Sequence, residues 1–414
     1  MIKQSGEVAE ILECVLNERN NVHTISTPFA ELIKSLKRPH PNKRCSHTKL
    51  ISAFSYEEYV AVTLEVSDST GFIVYCRYYD CLFREVGEPF AAKIFPDHTV
   101  FCARRIGADY IAISNSTNKN ELVHQVKIQA RFGEYQHFFT VCLNAKSQGE
   151  SRFFQIAEFI EYHKMQGATF FQVYLQNITD YDRLLIEDYS RTGDIEYIKF
   201  ENSQNLESAL KNDCYFRNKG FSKWTIFLDL DEKIEVKQDE RVVDYLRKID
   251  GVQFTSLDFK IHQYPKMETH PIVYSNLTVN ENTTIFQESN RRLEEVEDYS
   301  EHLLVQSDQM IISLKSQAFP EVKRQKVSEN VAVIRKYIKT KRNSELLTIL
   351  GKFSTNIEKE LPKKITKRIK YVYDIVDVEC FKKEITYLRH GGMNVPCYVE
   401  MVKNQTALIG TSKK

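Results

Sequence analysis

The sequence contains few of the features that would place a protein in a membrane. None of its apolar runs approaches the roughly 20 residues that are needed to span a bilayer. The opening segment, MIKQSGEVAEILECVLNERN, is polar and amphipathic and has no apolar stretch of the kind that a signal peptide carries. We therefore expect association with a membrane only through an anchor that this chain does not contain.

The sequence also lacks a charge excess and the usual spacing of zinc ligands. The net charge is +1 over 414 residues, so the overall balance does not indicate a nucleic-acid or membrane-surface partner. The nine cysteines include no C-x-x-C pair and no Cys/His cluster with zinc spacing, so no zinc site is expected. The apolar content of 42% and the charged content of 27% are typical of folded proteins, and the length suffices for two or three cores.

The cysteines and the glycosylation sequons leave the cellular compartment undecided. Cys76 and Cys81 are candidates for a disulfide bond, and Cys102, Cys142 and Cys214 can find partners elsewhere in the fold. An odd number of cysteines leaves at least one thiol free or bonded to another molecule, and cytosolic proteins also carry unpaired cysteines. N-x-S/T sequons favour a secretory lumen only modestly. They begin at Asn115, Asn177, Asn276, Asn282 and Asn404.

The first third of the chain divides into two segments. Residues 1–49 are polar, with a basic run at residues 37–44, and they predict a helix followed by a loosely held arm. In residues 50–136, short alternating segments are separated by turn-rich pieces, which predicts an antiparallel β region without a constellation of catalytic residue types. The five predicted strands are YVAVTLEVS, GFIVYCRYY, TVFCARR, DYIAISN and VHQVKIQAR.

The hydrophobic period changes at His137, where strands begin to alternate with helices. Helices are predicted at residues 152–167, 180–193 and 205–219, and a strand precedes each of them. This alternation predicts an α/β fold with a doubly wound, mostly parallel sheet. His163 lies on the apolar face of the first helix, so we expect a hydrogen-bonded core histidine rather than a ligand. The three strands are HFFTVCLNAK, TFFQVYLQN and IEYIKF.

The fourth strand of this sheet carries the motif on which the functional interpretation depends. The apolar run from Trp224 to Leu228 is followed at once by three acids, Asp229, Asp231 and Glu232. An unpaired carboxylate inside a covered sheet costs on the order of several kcal/mol, so the strand must surface here or present its acids to a cation. In open α/β sheets, ligands bind outside the carboxyl ends of the strands, where this cluster lies. The D-x-D pair alone is a short motif, and a strand end with solvated acids is the alternative.

The rest of the chain mixes strands with basic segments. A helix is expected at residues 240–251, and a charged exposed loop or short helix at residues 289–302. Residues 346–414 form a basic extension that we expect to pack on the preceding domain. The lysine-rich segments at residues 336–343 and 361–374 predict amphipathic helices with a solvated basic face, and RNA binding or contact with a nucleotide diphosphate are the alternatives. The expected strands are residues 252–264, 283–289, 303–306 and 309–316.

Four successive segments match the pattern of a known enzyme family. They are the strand TVCLNA, the helix and strand AEFIEYHKMQGATFFQVYLQN, the box KNDCYFRNKG and the box WTIFLDLDE. Each is common alone, but in this order and spacing they resemble glycosyltransferase family 92, a group of GT-A-like enzymes. The similarity runs from about Phe139 to about Tyr337.

The resemblance implies an activity, a cofactor and a location. A GT-A-like domain over residues 137–345 is expected to transfer a hexose, galactose by family resemblance, from a uridine diphosphate (UDP) sugar to a glycan on a glycoprotein or glycolipid. Mn²⁺ or another divalent cation is the implied cofactor, since hard oxygen ligands suit such an ion. No nucleic acid is expected as a partner, and the implied location is the Golgi or secretory lumen.

The resemblance also assigns roles to individual residues. Asp231 is expected to bind the metal directly, and Asp229 to bind it through water or to contact the ribose, so that the ion stabilises the leaving diphosphate. Glu232 is expected to orient the acids or the acceptor, which completes the catalytic group. The implied donor-binding residues are Asn144, Asp213 and Arg217.

Two departures from the family pattern bear on activity. The family carries a histidine beyond the D-x-D box and a later His-Tyr-Arg box, whereas MIISLKS at residues 310–316 and IRKYIK at residues 334–339 contain no histidine. We therefore keep as an alternative a catalytically inactive relative that binds glycan or protein. The candidates to replace the missing metal ligand are His262, His270 and His302. The candidates for a catalytic base near the acceptor are Asp298 and Glu301.

Overall fold

The computed structural model describes two large sheets and the helices that cover one of them. The described residues are 33–34, 49–65, 70–96, 98–118, 123–146, 150–200, 206–237, 240–251, 256–265, 274, 291–293, 299–307, 324–338, 346–350 and 355–374.

Residues 50–130 form a seven-stranded sheet that closes on itself. Its strands are β1 (Leu50–Ser55), β2 (Tyr59–Leu64), β3 (Ile73–Tyr79), β4 (Phe90–Lys93), β5 (Thr99–Ala103), β6 (Tyr110–Ser114) and β7 (Val126–Ala130). The spatial order is β4-β3-β6-β7-β1-β2-β5, and all neighbours are antiparallel except β1 and β7. An antiparallel bridge between Ile94 and Val100 joins the two edges, which removes unpaired strand edges.

The rest of the described chain is built around a second, mixed sheet. The elements are β8 (His137–Lys146), α1 (Phe153–Met165), β9 (Phe170–Gln176), α2 (Asp180–Arg191), β10 (Ile195–Phe200), α3 (Glu207–Asn218), β11 (Ser222–Asp229), β12 (Glu232–Val236), α4 (Val242–Lys248), β13 (Ser256–Pro265), β14 (Arg291–Leu293), β15 (Tyr299–Gln306), β16 (Arg324–Lys326), β17 (Ala332–Ile338), β18 (Leu346–Leu350) and α5 (Thr355–Tyr373).

The mixed sheet has a parallel half and an antiparallel half. Its order is β10-β9-β8-β11-β15-β13-β17-β12, with β16 beside β13, and β14 pairs separately with β18. The first four strands run parallel, as the alternation of strands and helices predicts. The next strand in the sheet after β11 is β15, which runs antiparallel to it. The predicted α/β fold is therefore confirmed, and its sheet is mixed.

Helices cover both faces of the mixed sheet. Val141 and Leu143 of β8 pack with α1, α2 and α5 on one face. Cys142, which points the opposite way along the same strand, packs with α3 on the other face. Phe216 of α3 then meets Phe101 of β5, with ring centroids 5.9 Å apart. Helix α3 therefore lies between the two sheets.

The observed local structure differs from the prediction in two places. The helix predicted at residues 240–251 is present as α4, but it is preceded by an unpredicted strand, β12, which pairs with β17. Its charged residues Lys233 and Glu235 are buried, and their partners come from distant segments that local composition does not reveal. The charged segment at residues 289–302 also contains β14 and the start of β15, since pairing with other strands overrides a polar composition. The strands predicted at residues 283–289 and 309–316 lie outside the described residues.

Two disulfide bonds stabilise the core. Cys76 bonds to Cys102, with their Cα atoms 6.0 Å apart, so the pairing of Cys76 with Cys81 is wrong. The closed sheet brings β3 and β5 together, and this proximity outweighs closeness in sequence. Cys142 of β8 bonds to Cys214 and ties the mixed sheet to α3. Cys81 is disulfide-bonded as well.

Helix α5 confirms the amphipathic pattern predicted for residues 361–374. The same prediction is wrong for residues 336–338, which belong to β17 because strand pairing overrides their basic composition. Leu361, Ile365 and Ile369 are buried against the core of the mixed sheet, and the lysines on the opposite side of the helix are exposed to solvent. In the described part of the chain, no helix combines the length and the apolar character that a bilayer crossing requires.

Substitution of Gly167 tests the packing of α1 against α4. The residue follows the end of α1 with φ +94°, and an added Cβ would lie 2.2 Å from Val243 Cγ1. We expect Gly167→Ala to lower the free energy of unfolding by about 2 kcal/mol or more, from backbone strain and overpacking together. Gly193→Ala is the control, because its φ is +77° and nothing lies near its added Cβ. Equal losses in urea titrations of the two variants would contradict the contact with Val243.

His163 is the core histidine that the helical pattern predicts, and it makes stability depend on pH. Its ring is fully buried, and Nδ1 donates to Phe159 O at 2.8 Å. Burial lowers the pKa of His163 to about 3. In the unfolded chain His163 has its ordinary pKa and binds a proton below about pH 6.5, whereas in the folded chain it stays neutral until the pH is much lower. Because the unfolded state binds the extra proton, acid favours unfolding.

We expect His163→Leu to remove this acid sensitivity. Between pH 7.5 and pH 5.0 the wild-type protein should lose about 2 kcal/mol more unfolding free energy than the variant, measured by urea titration at both values. Substitution of the exposed His124 by Gln is the control and should leave the pH dependence unchanged. Parallel pH profiles for wild-type protein and His163→Leu would refute the assignment.

Candidate active site

The D-x-D motif lies where the carboxyl ends of the parallel strands meet. Asp229 ends β11 and is in register with Asn144 of β8, which is in register with Tyr174 of β9. Partners in a parallel sheet point to the same face, so these side chains form a row on the face that α3 covers. Asn144 Nδ2 donates to Asp229 Oδ1 at 2.9 Å. The sheet register thus joins a predicted donor-binding residue to a predicted catalytic residue.

A tight turn between β11 and β12 holds the acids in place. Glu232 is fully buried, and its Oε2 accepts from the backbone N–H of Asp229 at 3.0 Å. The backbone N–H of Tyr337 in β17 donates to Asp231 O at 2.9 Å. Asp229 and Asp231 remain half-buried, so both are accessible from the solvent. Glu232 therefore orients the cluster, as its predicted role requires, by closing the turn.

Lys336 lies next to Glu232 at this turn. Residues Glu232 and Lys336 are paired across β12 and β17, and Lys336 Nζ lies 3.4 Å from Glu232 Oε1. The lysine side chain is 29% exposed and the glutamate side chain is 0% exposed. The ammonium group therefore neutralises a buried carboxylate and still reaches the solvent beside the D-x-D motif.

Two further ion pairs keep β12 buried despite its charges. Lys233 Nζ lies 3.0 Å from Glu158 Oε1 of α1, and both side chains are almost wholly enclosed. Glu235 accepts two hydrogen bonds from the guanidinium of Arg335, at 2.5 and 2.9 Å. Pairing of this kind lets a strand with charged side chains lie in the interior, because an unpaired buried charge would strongly destabilise the folded state.

Asp213 and Arg217 belong to a buried network rather than to an open cleft. Tyr174 Oη donates to Asp213 Oδ2 at 2.7 Å, and Ser52 of the seven-stranded sheet donates to Asp213 Oδ1. Arg217 Nε lies 3.1 Å from Asp213 Oδ2, and its Nη1 lies 2.8 Å from Glu196 Oε1. Burial, and next the charge of Asp213, raise the pKa of the Tyr174 hydroxyl well above its usual value, so the group stays protonated and donates.

This network has a structural role that can be read directly from its contacts. It joins β9, β10, α3 and the seven-stranded sheet, and Asp213 and Arg217 are 0% and 3% exposed. In this arrangement protein encloses both side chains. The contact with a nucleotide that the family resemblance implies for them therefore stays a prediction, whereas Asn144 lies directly beside Asp229.

The oxygen atoms around Asp229 have the chemistry of a site for a hard cation. Asn144 Oδ1 is buried and has no hydrogen-bond partner among the described residues. A buried acceptor without a donor is costly, and a cation would satisfy it. Within the described ranges, no group of three or more His, Cys, Asp or Glu side chains has an arrangement that could hold a metal ion. Ligands for an ion here would thus be few carboxylates and an amide, completed by water or substrate oxygens.

The other candidate ligands and bases are only partly within the described chain. His262 Nε2 lies 3.2 Å from Glu329 Oε2, which gives this histidine a carboxylate partner. Glu301 and His302 lie on β15. His270, Asp298 and the segment at residues 310–316 lie outside the described residues.

The region that builds this site matches a known sequence family. The profile of glycosyltransferase family 92 covers residues 137–376, more than half of the chain. The chain belongs to glycosyltransferase family 92. The match includes the D-x-D turn, Lys336 and α5. No curated protein is significantly similar to the chain in sequence.

Several solved structures resemble parts of this family 92 chain at low identity. HddC from Yersinia pseudotuberculosis is 12% identical, with 48% of this chain and 93% of that chain covered and a TM-score of 0.27. TarS of S. aureus in complex with UDP-GlcNAc is 14% identical, with 57% and 67% covered and a TM-score of 0.31. Galactosyltransferase LgtC with donor and acceptor sugar analogs is 13% identical, with 41% and 58% covered and a TM-score of 0.22. At these values, the likenesses establish nothing about the substrate of this chain.

Two members of the site were not found by sequence reasoning. Lys336 is far from Glu232 along the chain, and only the pairing of β12 with β17 brings them together. Tyr174 is a typical strand residue, so nothing local marks its hydroxyl as the partner of Asp213. Strand register is the information that would have been needed, and hydrophobic periodicity does not supply it.

We expect Asp213→Ala to destabilise the protein strongly. The substitution removes the carboxylate that accepts from two buried hydroxyls and pairs with Arg217. The expected loss of unfolding free energy is about 3–5 kcal/mol. Glu187→Ala is the control, because Glu187 pairs with Arg183 on the half-exposed surface of α2 and should cost within about 0.5 kcal/mol. Unfolding free energies from urea titration test this. Similar losses in both variants would show that the Asp213 network does not hold α3.

Proposed function

We propose that the protein is a metal-dependent glycosyltransferase that moves a hexose from a UDP-sugar to a glycan acceptor. Family membership supports the transfer of a sugar, and the pair formed by Asn144 and Asp229 carries the finer proposal. That pair presents oxygen ligands at the carboxyl edge of parallel strands, the edge at which open α/β sheets bind nucleotides. Galactose is the sugar we propose, on the family resemblance alone.

The donor set fits a divalent cation that is bound mainly together with its substrate. Asp231, Asp229 and the unpartnered Oδ1 of Asn144 would hold Mn²⁺ or Mg²⁺. Such ions are commonly bound by one or two carboxylates together with substrate phosphates, which suits a site of few protein ligands. When bound, the ion would stabilise the negative charge that develops on the leaving diphosphate.

The chain's own residues would position this site rather than take part in covalent chemistry. Asn144 fixes the orientation of the Asp229 carboxylate through its amide. Glu232 fixes the turn through the Asp229 backbone, so that both acids of the motif keep a constant geometry. Preorganised groups of this kind cost no rearrangement when charge develops, and this is the usual source of catalytic stabilisation.

We also propose that the protein works in an oxidising compartment of the secretory pathway. Two disulfide bonds join buried parts of the chain, Cys76 with Cys102 and Cys142 with Cys214. Disulfide bonds form and persist in the secretory lumen and are rare in the cytosol. This favours the Golgi or secretory lumen as the location. The acceptor that we propose there is a glycan on a glycoprotein or glycolipid.

We expect Asp231→Asn to abolish transfer and to weaken UDP binding in the presence of Mn²⁺. The isosteric amide removes a charged ligand, so we expect a loss of about 100-fold or more in kcat/KM. UDP binding by calorimetry, with Mn²⁺ and with chelator, and release of UDP from UDP-galactose are the measurements. The control is Asp244→Asn, which changes an exposed carboxylate paired with Arg241 on α4.

The same measurements separate the active enzyme from an inactive relative. A wild-type protein that melts normally but binds no UDP at any Mn²⁺ concentration would refute the proposal and favour a glycan- or protein-binding role. Equal activities of Asp231→Asn and Asp244→Asn would contradict the placement of the site at the D-x-D turn.

A further inference from the structure

We infer that Lys336 binds the diphosphate of the nucleotide-sugar donor. This inference rests on the proposed function and adds a residue that the D-x-D motif does not include. It assigns an anion-binding position to the partly exposed ammonium group that pairs with Glu232 at the D-x-D turn. Lys336 was not a candidate on sequence grounds, since it lies in a basic segment whose lysines predict a solvated face.

The geometry of the turn brings Lys336 close to the D-x-D motif. Lys336 Nζ lies 3.4 Å from Glu232 Oε1, and the other oxygen of Glu232 accepts from the Asp229 backbone at 3.0 Å. One side chain therefore separates the ammonium from the backbone of the D-x-D motif. A diphosphate bound at Asp229 and Asp231 would lie within reach of a lysine that is 29% exposed at that position.

Charge also favours a role for Lys336. The turn gathers three carboxylates, from Asp229, Asp231 and Glu232, and Lys336 brings an ammonium group to it. Without the lysine these carboxylates would repel an anionic donor more strongly, because a positive charge at the turn would be lost. Affinity for the diphosphate is thus expected to depend on Lys336.

A purely structural role for Lys336 predicts a different pattern of effects. If the lysine only neutralises buried Glu232, its loss will distort the turn, and removing the charge of Glu232 as well will restore the affinity for UDP. If it contacts the diphosphate, UDP will stay weakly bound when both charges are removed, while uridine, which has no phosphate, will bind unchanged. The UDP affinity of the variant that lacks both charges therefore separates the two roles.

The test uses three variants and one control. Lys336→Met removes the charge, and Lys336→Arg keeps it. The double variant Lys336→Met with Glu232→Gln also removes the charge of Glu232, which loses its ammonium partner in the single variant. Misfolding of the single variant then cannot mask the result. Lys164→Met is the control, because Lys164 is 34% exposed and pairs with Asp194 at 2.8 Å away from the turn.

Affinities are measured in Mn²⁺ by calorimetry for UDP and by ligand-observed NMR for uridine. We expect Lys336→Met and the double variant to weaken UDP by about tenfold, or about 1.4 kcal/mol, with uridine changed less than about twofold. Lys336→Arg and Lys164→Met should bind UDP nearly as the wild type does.

Each other outcome overturns a distinct part of the account. Wild-type UDP affinity in the double variant, or equal weakening of UDP and uridine, refutes the role of Lys336 and leaves the proposed function in place. A wild-type protein that binds neither ligand refutes the proposed function and, with it, the role of Lys336.

Discussion

The parallel register of β8 and β11 is the constraint on which the rest of the site depends. It sets Asn144 beside Asp229, and it leaves the buried amide oxygen of Asn144 without a hydrogen-bond partner in the part of the chain that the structure describes. Everything around this pair maintains it. The disulfide bond of Cys142, two residues before Asn144, joins β8 to α3. Glu232 accepts a hydrogen bond from the Asp229 backbone and so holds the turn that follows β11. A slip of one residue in this register would turn Asn144 to the opposite face.

Buried charge in this chain is held by pairs that span distant segments. Arg217 of α3 pairs with Glu196 of β10, while Lys233 and Arg335 pair with carboxylates to hold β12. An isolated charge in these positions would be costly, so each pair specifies which segments can meet. The acids of the D-x-D motif differ from these pairs because they are half-buried at the edge of the sheet, where a ligand can reach them.

Sequence periodicity predicted the local elements well and the contacts between them poorly. The strands and helices from β8 to β11 follow from apolar spacing, and the motif Asp229 and Asp231 ends its strand as predicted. The burial of Asp213, the pairing of Cys76 with Cys102 and the strand β12 were not predictable. Each depends on which distant strands become neighbours, and that information is spread over the whole chain rather than held in a local pattern.

The most direct test of the central claim is a crystal structure with UDP and Mn²⁺, with the ion located by its anomalous scattering. The account predicts one manganese peak in contact with the carboxylate of Asp231 or Asp229 and with the diphosphate. A diphosphate bound elsewhere on the protein, or a manganese peak with no contact to the D-x-D turn, would contradict it.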